Sequence, residues 1–461
     1  MEVGEKIYSN KSGVTYTIFY AFKAGGQAEV AFATSSHSHE VFFIKRLLNI
    51  KHSTKSRYMQ KQCEAFEAQR NEIYKKINSK TLDGATCPLV FDFFREGSFY
   101  YVVSKRIEGF SLSVSDVAKY LSLSQKLFLC RTIVYSFYPL ESQGIIHGDI
   151  KPDNFILRQK NGRLVANMVD LESSFLVSSP PEKGYIIGTE PYYSPELVLY
   201  NDESNEVGKS VLSTKSDIFS LGVVFYEILT GKYPRLEGSE SYAFEAVKTK
   251  ATFPYPGTWP ASLQNLLTQM MSYEAAKRPG VMQILAALKS IELEDKPISG
   301  VHPPYISVAP TPDGKSQVTL HTLQPDTHVI YSLEGAPYKK YERPFTINDD
   351  DLCLDLKVSL KDRPAEIKMF SHQVSASIKR SGKVARPTVY VISGTVRMLC
   401  STAGADIYYT LNGEEPTKKS NRYRGTFTVS AGTPIRVVAF RKGMHKSEIV
   451  NINCSSTSKS S

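Results

Sequence analysis

The sequence predicts a multi-domain chain: an α+β domain over the first two-thirds, followed by two small all-β domains. Three observations carry this. Up to residue 296, aromatic and β-branched alternating runs come first and apolar-striped helical runs follow. After Pro297 the helical patterns stop, and short alternating runs are separated by Gly, Pro and Asn-Gly turns. This second part also repeats itself. Val329 to Gly335 aligns with Ile407 to Gly413 at an offset of 78 residues, and Lys339-Lys340 through Phe345-Thr346-Ile347 is echoed by Lys418-Lys419 through Phe427-Thr428-Val429. Each repeat, 304–378 and 386–453, has the size of one β-sandwich. The expected division is 14–296, a linker at 297–303 marked by Pro303-Pro304, and β domains at 304–380 and 385–454.

Composition excludes several classes. Hydrophobic content of 41% and charge of 22% belong to an ordinary globular chain. The polar, charged stretch Met1 to Lys11 is not a secretory signal. No run of about 18 uncharged apolar residues is present; Leu127 to Leu140 is too short and carries Arg131. The six cysteines, at 63, 87, 130, 353, 400 and 454, form no CxxC pair, which fits reduced thiols and a cytoplasmic protein. The net charge of +10 is concentrated at the end. Residues 381–461 carry 12 Lys+Arg against 4 Asp+Glu, whereas residues 1–300 carry 34 against 32.

In chain order, 14–48 reads as strands: Val14 to Phe22, Val30 to Ala33, and Val41 to Lys45. The turn between the first two is Lys23-Ala24-Gly25-Gly26-Gln27-Ala28-Glu29-Val30. His37 and His39 sit in a polar hairpin tip, better read as solvated than as a metal site. Residues 57–78 read as a helix striped by Phe66, Ile73 and Ile77, and Leu89 to Phe94 and Phe99 to Val103 as two more strands. Gln125 to Ser142 reads as one apolar-striped helix (Leu127, Ile133, Val134, Phe137, Leu140). The chain then enters a polar turn held between apolar segments: His147-Gly148-Asp149-Ile150-Lys151-Pro152-Asp153-Asn154. With Asp149 and Asn154 five apart, a carboxylate can face a substrate hydroxyl while an amide oxygen reaches a metal.

These eight residues resemble the catalytic loop of eukaryotic-type protein kinases, H-x-D-x-K-P-x-N. Further landmarks follow in the family's order. Met168-Val169-Asp170-Leu171-Glu172 is similar to D-F-G, with Leu for Phe and Glu172 for Gly. Gly188-Thr189-Glu190-Pro191-Tyr192-Tyr193-Ser194-Pro195-Glu196 resembles G-T-x-x-Y-x-A-P-E, with Ser194 for Ala. Ser216-Asp217 opens a helix whose Asp217 resembles the brace of the catalytic loop, and Lys277-Arg278-Pro279 resembles the Arg that pairs with Glu196. Lys45, ending an apolar strand, resembles the Lys of V-A-I-K. The turn at Gly25 and Gly26, with Val30 after it, resembles the glycine-rich loop, although only Gly25 matches among the three glycines.

The resemblance covers 14–291. It implies a bilobal protein-kinase fold and ATP-dependent Ser/Thr phosphorylation of a protein substrate with Mg²⁺. Asp149 would accept the hydroxyl proton, Asn154 and Asp170 would hold the metal, Lys45 would fix the phosphates, and Lys151 would steady the γ-phosphate. In the family, the helix at 57–78 supplies a Glu to the strand Lys. If Ile73, Tyr74 and Ile77 take the family's apolar places, that position falls on Arg70, flanked by Glu67 and Glu72, and the partner of Lys45 stays open. Arg70 and Glu172 keep a second reading open, a pseudokinase scaffold. Gly148 stands where many kinases carry the Arg that binds an activation-segment phosphate, so a phosphate on Ser173, Ser174, Ser178 or Ser179 has one fewer partner.

The second repeat, with Ile407 to Pro416 and Ile435 to Phe440, resembles the immunoglobulin-like domain at the C-terminus of chitobiase and hexosaminidase enzymes. That likeness implies a β-sandwich and no glycosidase activity. Its basic surface is either a solvated face or a site for an anionic partner. No recognition helix is visible, so specific nucleic-acid binding is not expected. Every catalytic residue named lies before 280, so catalysis is expected to survive loss of the repeats.

Overall fold

Alternating burial builds the N-terminal sheet. The strands are β1 (Lys6–Tyr8), β2 (Thr15–Ala24), β3 (Ala28–Ser35), β4 (Ser38–Lys51), β5 (Val90–Glu96) and β6 (Phe99–Lys105). They lie in the order β1-β2-β3-β4-β6-β5, antiparallel throughout. On β6, Tyr101 and Val103 join Tyr16, Ile18, Phe42 and Ile44 on one face. Tyr100 and Val102, one residue out of phase, face the other way and pack with Ile73, Tyr74 and Ile77 of the helix α1 (Arg57–Lys80). The structure, a computed structural model, describes the chain except residues 25–27, 54–55, 81–86, 88, 112, 161–162, 250, 292–300, 325, 348–351, 375–383, 385, 393, 401, 403–404, 441–445 and 454–461. The glycine turn at Gly25 and Gly26 lies outside the described residues.

Beyond β6 the chain is mainly helical. It forms β7 (Phe110–Ser111), α2 (Val114–Tyr120), α3 (Leu123–Ser136), α4 (Tyr138–Ser142), β8 (Ile145–Ile146), β9 (Phe155–Lys160), β10 (Arg163–Met168) and β11 (Phe175–Leu176). Then come α5 (Pro195–Asn201), α6 (Lys215–Thr230), α7 (Ala243–Lys248), α8 (Ala261–Met270) and α9 (Val281–Ser290). Ser122 and Gln125 form a capping box that starts α3. The single helix expected over 125–142 is two, because Pro139 has no N–H to donate and the helix breaks at Phe137. α6 is buried from Ser216 to Leu229, so it forms the spine of this lobe. Among the described residues no helix is long and apolar enough to cross a membrane.

The chain divides into two compact units. The first takes 1–307, 320–327 and 359–368; the second takes 308–319, 328–358 and 369–461. The first unit therefore does not end at the expected boundary of 296. Within it, the Tyr305 ring stacks on Phe110 with centroids 4.5 Å apart, and its hydroxyl donates to Asp116 Oδ2 at 2.9 Å. His321 lies 4.8 Å from the Phe110 ring and His302 4.7 Å from Tyr120.

The β region repeats strand for strand. The first repeat has β12 (Tyr305–Pro310), β13 (Ser316–His321), β14 (Thr327–Leu333), β15 (Lys339–Lys340), β16 (Phe345–Ile347), β17 (Leu352–Leu360) and β18 (Arg363–Val374), in sheets β12-β13-β16 and β15-β14-β17-β18. The second has β19 (Thr388–Ile392), β20 (Thr395–Leu399), β21 (Asp406–Thr410), β22 (Asn421–Arg422), β23 (Phe427–Thr428), β24 (Pro434–Phe440) and β25 (Val450–Asn453), in sheets β19-β20-β23 and β22-β21-β24-β25. Val396 and Met398 from one sheet and Ile407, Ile435, Val437 and Ala439 from the other form the sandwich core of the second repeat. Tyr409 stacks on Phe427 at 4.5 Å and joins this core, while Tyr408 lies on the opposite face against Phe440.

Candidate active site

The polar turn 147–154 is held by contacts from three directions. Asp217 of α6 accepts the backbone N–H groups of His147 at 2.7 Å and Gly148 at 3.3 Å. Burial pushes the Asp217 carboxyl up to about 7, although both N–H bonds oppose the rise. His147 is buried, and burial lowers its pKa. A neutral imidazole fits its contacts: Nδ1 accepts from the Asp149 N–H at 3.3 Å, and Nε2 lies 3.4 Å from the Val169 carbonyl. Gly148 has φ +79, and an added Cβ would meet the Ser173 carbonyl at 3.1 Å. A residue with a side chain would be strained there.

Lys151, Thr189 and Asn154 converge on Asp149, while Lys45 and Asp170 form a second group. Lys151 Nζ lies 3.0 Å from Asp149 Oδ2 and donates to Thr189 Oγ1 at 2.9 Å. Thr189 donates in turn to Asp149 Oδ1 at 2.6 Å. Gly188 allows this approach, since a Cβ there would lie 2.4 Å from the Gly148 carbonyl oxygen. The Asn154 amide donates to the Asp149 carbonyl at 2.6 Å and to Oδ2 at 3.2 Å. Its own oxygen, Oδ1, therefore has no protein partner among the described residues. Beyond the segment, Glu196 is clamped by Arg278 through two bonds, 2.6 and 2.9 Å, and also accepts from Ser216 at 2.8 Å. Both ends of that pair are buried, so removing one would leave an uncompensated charge, a loss of about 3–5 kcal/mol.

Lys45 sits on β4 in register with Val30 of β3 and Val102 of β6. Val30 is fully buried beside it. Lys45 Nζ donates to Asp170 Oδ1 at 2.8 Å and to Glu172 Oε2 at 2.9 Å. Burial acts to lower the Lys45 pKa, but the charges of Glu172 and Asp170 outweigh it and hold it above the usual lysine range. Burial would raise the Asp170 carboxyl; a hydrogen bond with Glu172 and the Lys45 charge instead hold it well below the usual range. Burial pushes Glu172 upward, Lys45 pulls it down, and Asp170 adds to the rise. Asp170 itself has φ +69, a left-handed conformation that an Asp tolerates better than most residues.

The question left open on α1 is answered by position. Glu67 accepts from the Tyr100 hydroxyl at 2.8 Å, and Glu72 pairs with Lys76 at 2.8 Å. Neither carboxylate pairs with Lys45. Arg70 turns inward, buried, and its NH1 donates to the carbonyls of Leu171 at 3.3 Å and Glu172 at 2.9 Å, while NH2 donates to that of Ser174. Glu172 as the partner of Lys45 was not foreseen. The available signal was a pair of reversals, a cation on the helix where the family has an anion and an anion after Asp170 where it has glycine.

The donor set fits Mg²⁺. Asp170 and the Asn154 side-chain oxygen are hard oxygen donors, too few for a closed protein cage and suited to an ion completed by waters and phosphate oxygens. Among the described residues no group of three or more His, Cys, Asp or Glu side chains forms a separate metal cluster.

A strand lysine held by two carboxylates, a polar loop braced by a helix aspartate and a segment clamped by an Arg–Glu pair are the features the site presents. The family model described as "protein kinase domain" matches residues 23–288, more than half of the chain, and the chain belongs to that family. The model described as "chitobiase/beta-hexosaminidase C-terminal domain" matches 386–451. Among curated relatives, serine/threonine-protein kinase A of Synechocystis sp. is 29% identical over 294 residues, covering 59% of this chain and 51% of the relative. Serine/threonine-protein kinase STK11 of Homo sapiens is 29% identical over 214 residues, covering 46% and 45%. 3-phosphoinositide-dependent protein kinase B of Dictyostelium discoideum is 27% identical over 199 residues, covering 42% and 21%. The chain thus spans about half or less of the length of these relatives.

Proposed function

We propose that this chain is an ATP- and Mg²⁺-dependent protein kinase that transfers the γ-phosphate to Ser or Thr of a protein substrate. The triangle of Asp149, Lys151 and Thr189 carries this reading. Asp149 accepts the proton of the attacking hydroxyl and orients its oxygen. Lys151, within reach of both Asp149 and Thr189, places a positive charge where charge builds on the transferred phosphoryl group. Lys45 holds the α- and β-phosphates, and Asn154 and Asp170 hold the metal. When bound, Mg²⁺ neutralises phosphate charge. Gly25 and Gly26 are proposed to cover the phosphates.

Phosphate transfer from labelled ATP to a generic protein, followed by phosphoamino-acid analysis, tests the reading. Asp149→Asn should abolish transfer while ATP binding and folding stay near native. Lys45→Met should slow it at least about a hundredfold, since each 1.36 kcal/mol lost is tenfold. The two carboxylates on Lys45 favour a second reading, a nucleotide-binding scaffold. ATP binding with no transfer would select it.

For the second repeat we propose an anionic partner. Arg422 pairs with Asp406 and Lys446 with Glu415, whereas Arg424 is exposed. Binding to heparin or anionic liposomes should fall steeply as salt rises, and no binding at low salt would reduce the repeat to a spacer or a neutral docking surface. The free cysteines 63, 87, 130, 353 and 400 accord with a reducing, cytoplasmic setting.

A further inference from the structure

The strand lysine of a kinase needs a counter-charge to hold it on the nucleotide phosphates, and here the usual source is missing. Arg70, Ile73, Tyr74 and Ile77 fall on one face of α1, and all four are buried. The helix position aimed at the site is thus occupied by a cation. A second cation beside a half-buried lysine would push it away from the phosphates unless anions came from elsewhere. They come from the segment after β10, where Asp170 and Glu172, two residues apart, both take Lys45 Nζ. Arg70 spends its hydrogen bonds on three main-chain carbonyls of the same segment, at residues 171, 172 and 174.

We propose that Glu172 is the residue that positions Lys45 for the nucleotide phosphates, and that Arg70 has exchanged the helix's electrostatic role for a main-chain lock on the start of the activation segment. This rests on the kinase reading above and deepens it. The geometry supports the exchange on both sides: the two departures from the family pattern, each unfavourable alone, are complementary. A Gly at 172 with Arg at 70 would leave Asp170 as the sole counter-charge of Lys45. A Glu at 70 with Glu172 kept would crowd three carboxylates around one lysine and remove the carbonyl donors. The second consequence concerns control. With its counter-charge two residues from Asp170, Lys45 is placed by the conformation of the segment, and α1 acts on it only through Arg70's hold on that segment, not through a carboxylate of its own.

The test compares Glu172→Gln, Glu172→Asp, Arg70→Glu and the double variant Arg70→Glu/Glu172→Gly in the full chain. Two readouts are used: kcat and KM for ATP with a generic substrate, and affinity for a fluorescent ATP analogue with and without Mg²⁺. Glu172→Gln should lower kcat about tenfold or more and weaken analogue binding in the absence of metal. Glu172→Asp, which keeps the charge, should recover part of both. Arg70→Glu alone should be as impaired as Glu172→Gln. The double variant should regain activity over Arg70→Glu alone, a rescue that loss of a structural contact does not produce. Glu172→Gln with kcat and analogue affinity within twofold of native would overturn the proposal, as would a double variant no better than Arg70→Glu alone. If the native chain transfers no phosphate, the kinase reading fails by itself; analogue binding by Glu172→Gln still decides whether Glu172 positions Lys45.

Discussion

At the scale of single residues, the site is built from groups that burial forces into pairs. Asp217 shows the consequence for pH. Its unfolded pKa is near 3.8 and burial raises the folded value to about 7. Between those values the folded chain keeps a proton that the unfolded chain has lost, so the carboxyl's contribution to stability is full below about pH 4 and declines as pH rises toward 7. Asp217→Asn carries no such proton. The stability of the native chain relative to this variant should therefore fall across pH 4 to 7 in paired thermal or urea unfolding; a constant difference would mean that Asp217 ionises normally. Residues brought together by proximity in sequence were the readable ones: Asp149, Lys151 and Asn154 lie within one turn, and the structure groups them around one carboxylate. The partner of Lys45 was not readable, because Glu172 lies 127 residues away and two nearer carboxylates, Glu67 and Glu72, competed on local spacing alone. Only folding shows that both of those turn elsewhere.

At the scale of elements, period and punctuation predicted most strands and helices, and the break at Pro139 was missed because the apolar stripe continues across it. The activation segment shows what an element adds. β11 pairs with β8, bringing Phe175 opposite Ile146 directly beneath Gly148. Ser174, one of the four serines considered for phosphorylation, is fully buried and donates to the Leu171 carbonyl. It is therefore withdrawn as an accessible site. Ser178 and Ser179 are exposed, and Gln69 of α1 donates to the Ser179 carbonyl at 2.8 Å. The segment is held by main-chain bonds to Arg70 and Gln69 and by strand pairing, and no Arg side chain stands at position 148 to read a phosphate. Activity should accordingly depend little on phosphorylation of the segment. Phosphatase treatment should leave most of the rate intact; near-complete loss, restored by rephosphorylation of Ser178 or Ser179, would contradict this.

At the scale of the whole molecule, the expectation of a kinase separable at residue 296 is a question of what packs on the first unit beyond that point. The first compact unit includes 302–307 and 320–327 as packing partners of α2 and β7. Phe110, against which Tyr305 and His321 pack, opens β7, five residues after the end of β6. Gln159 of β9, on the strand paired to β7, donates to the Thr322 carbonyl. Because 320–327 and 359–368 return to the first unit after excursions through the second, no single cut in the chain separates the two. An aromatic stack of this kind contributes about 0.5–1.5 kcal/mol beyond the area it buries, and Tyr305 adds a bond to Asp116. Tyr305→Ala in the full chain should lower the thermal midpoint, with Tyr305→Phe, which keeps the ring and loses the bond, falling between. A truncation ending at 296 removes Tyr305, His302 and His321 together and uncovers Phe110, so it should be less stable than either variant and show a raised KM for ATP if the link between β6 and β7 loosens with it. A 1–296 fragment with native melting and native KM would mean that these contacts carry no stability, and the tail would then be separable from catalysis after all.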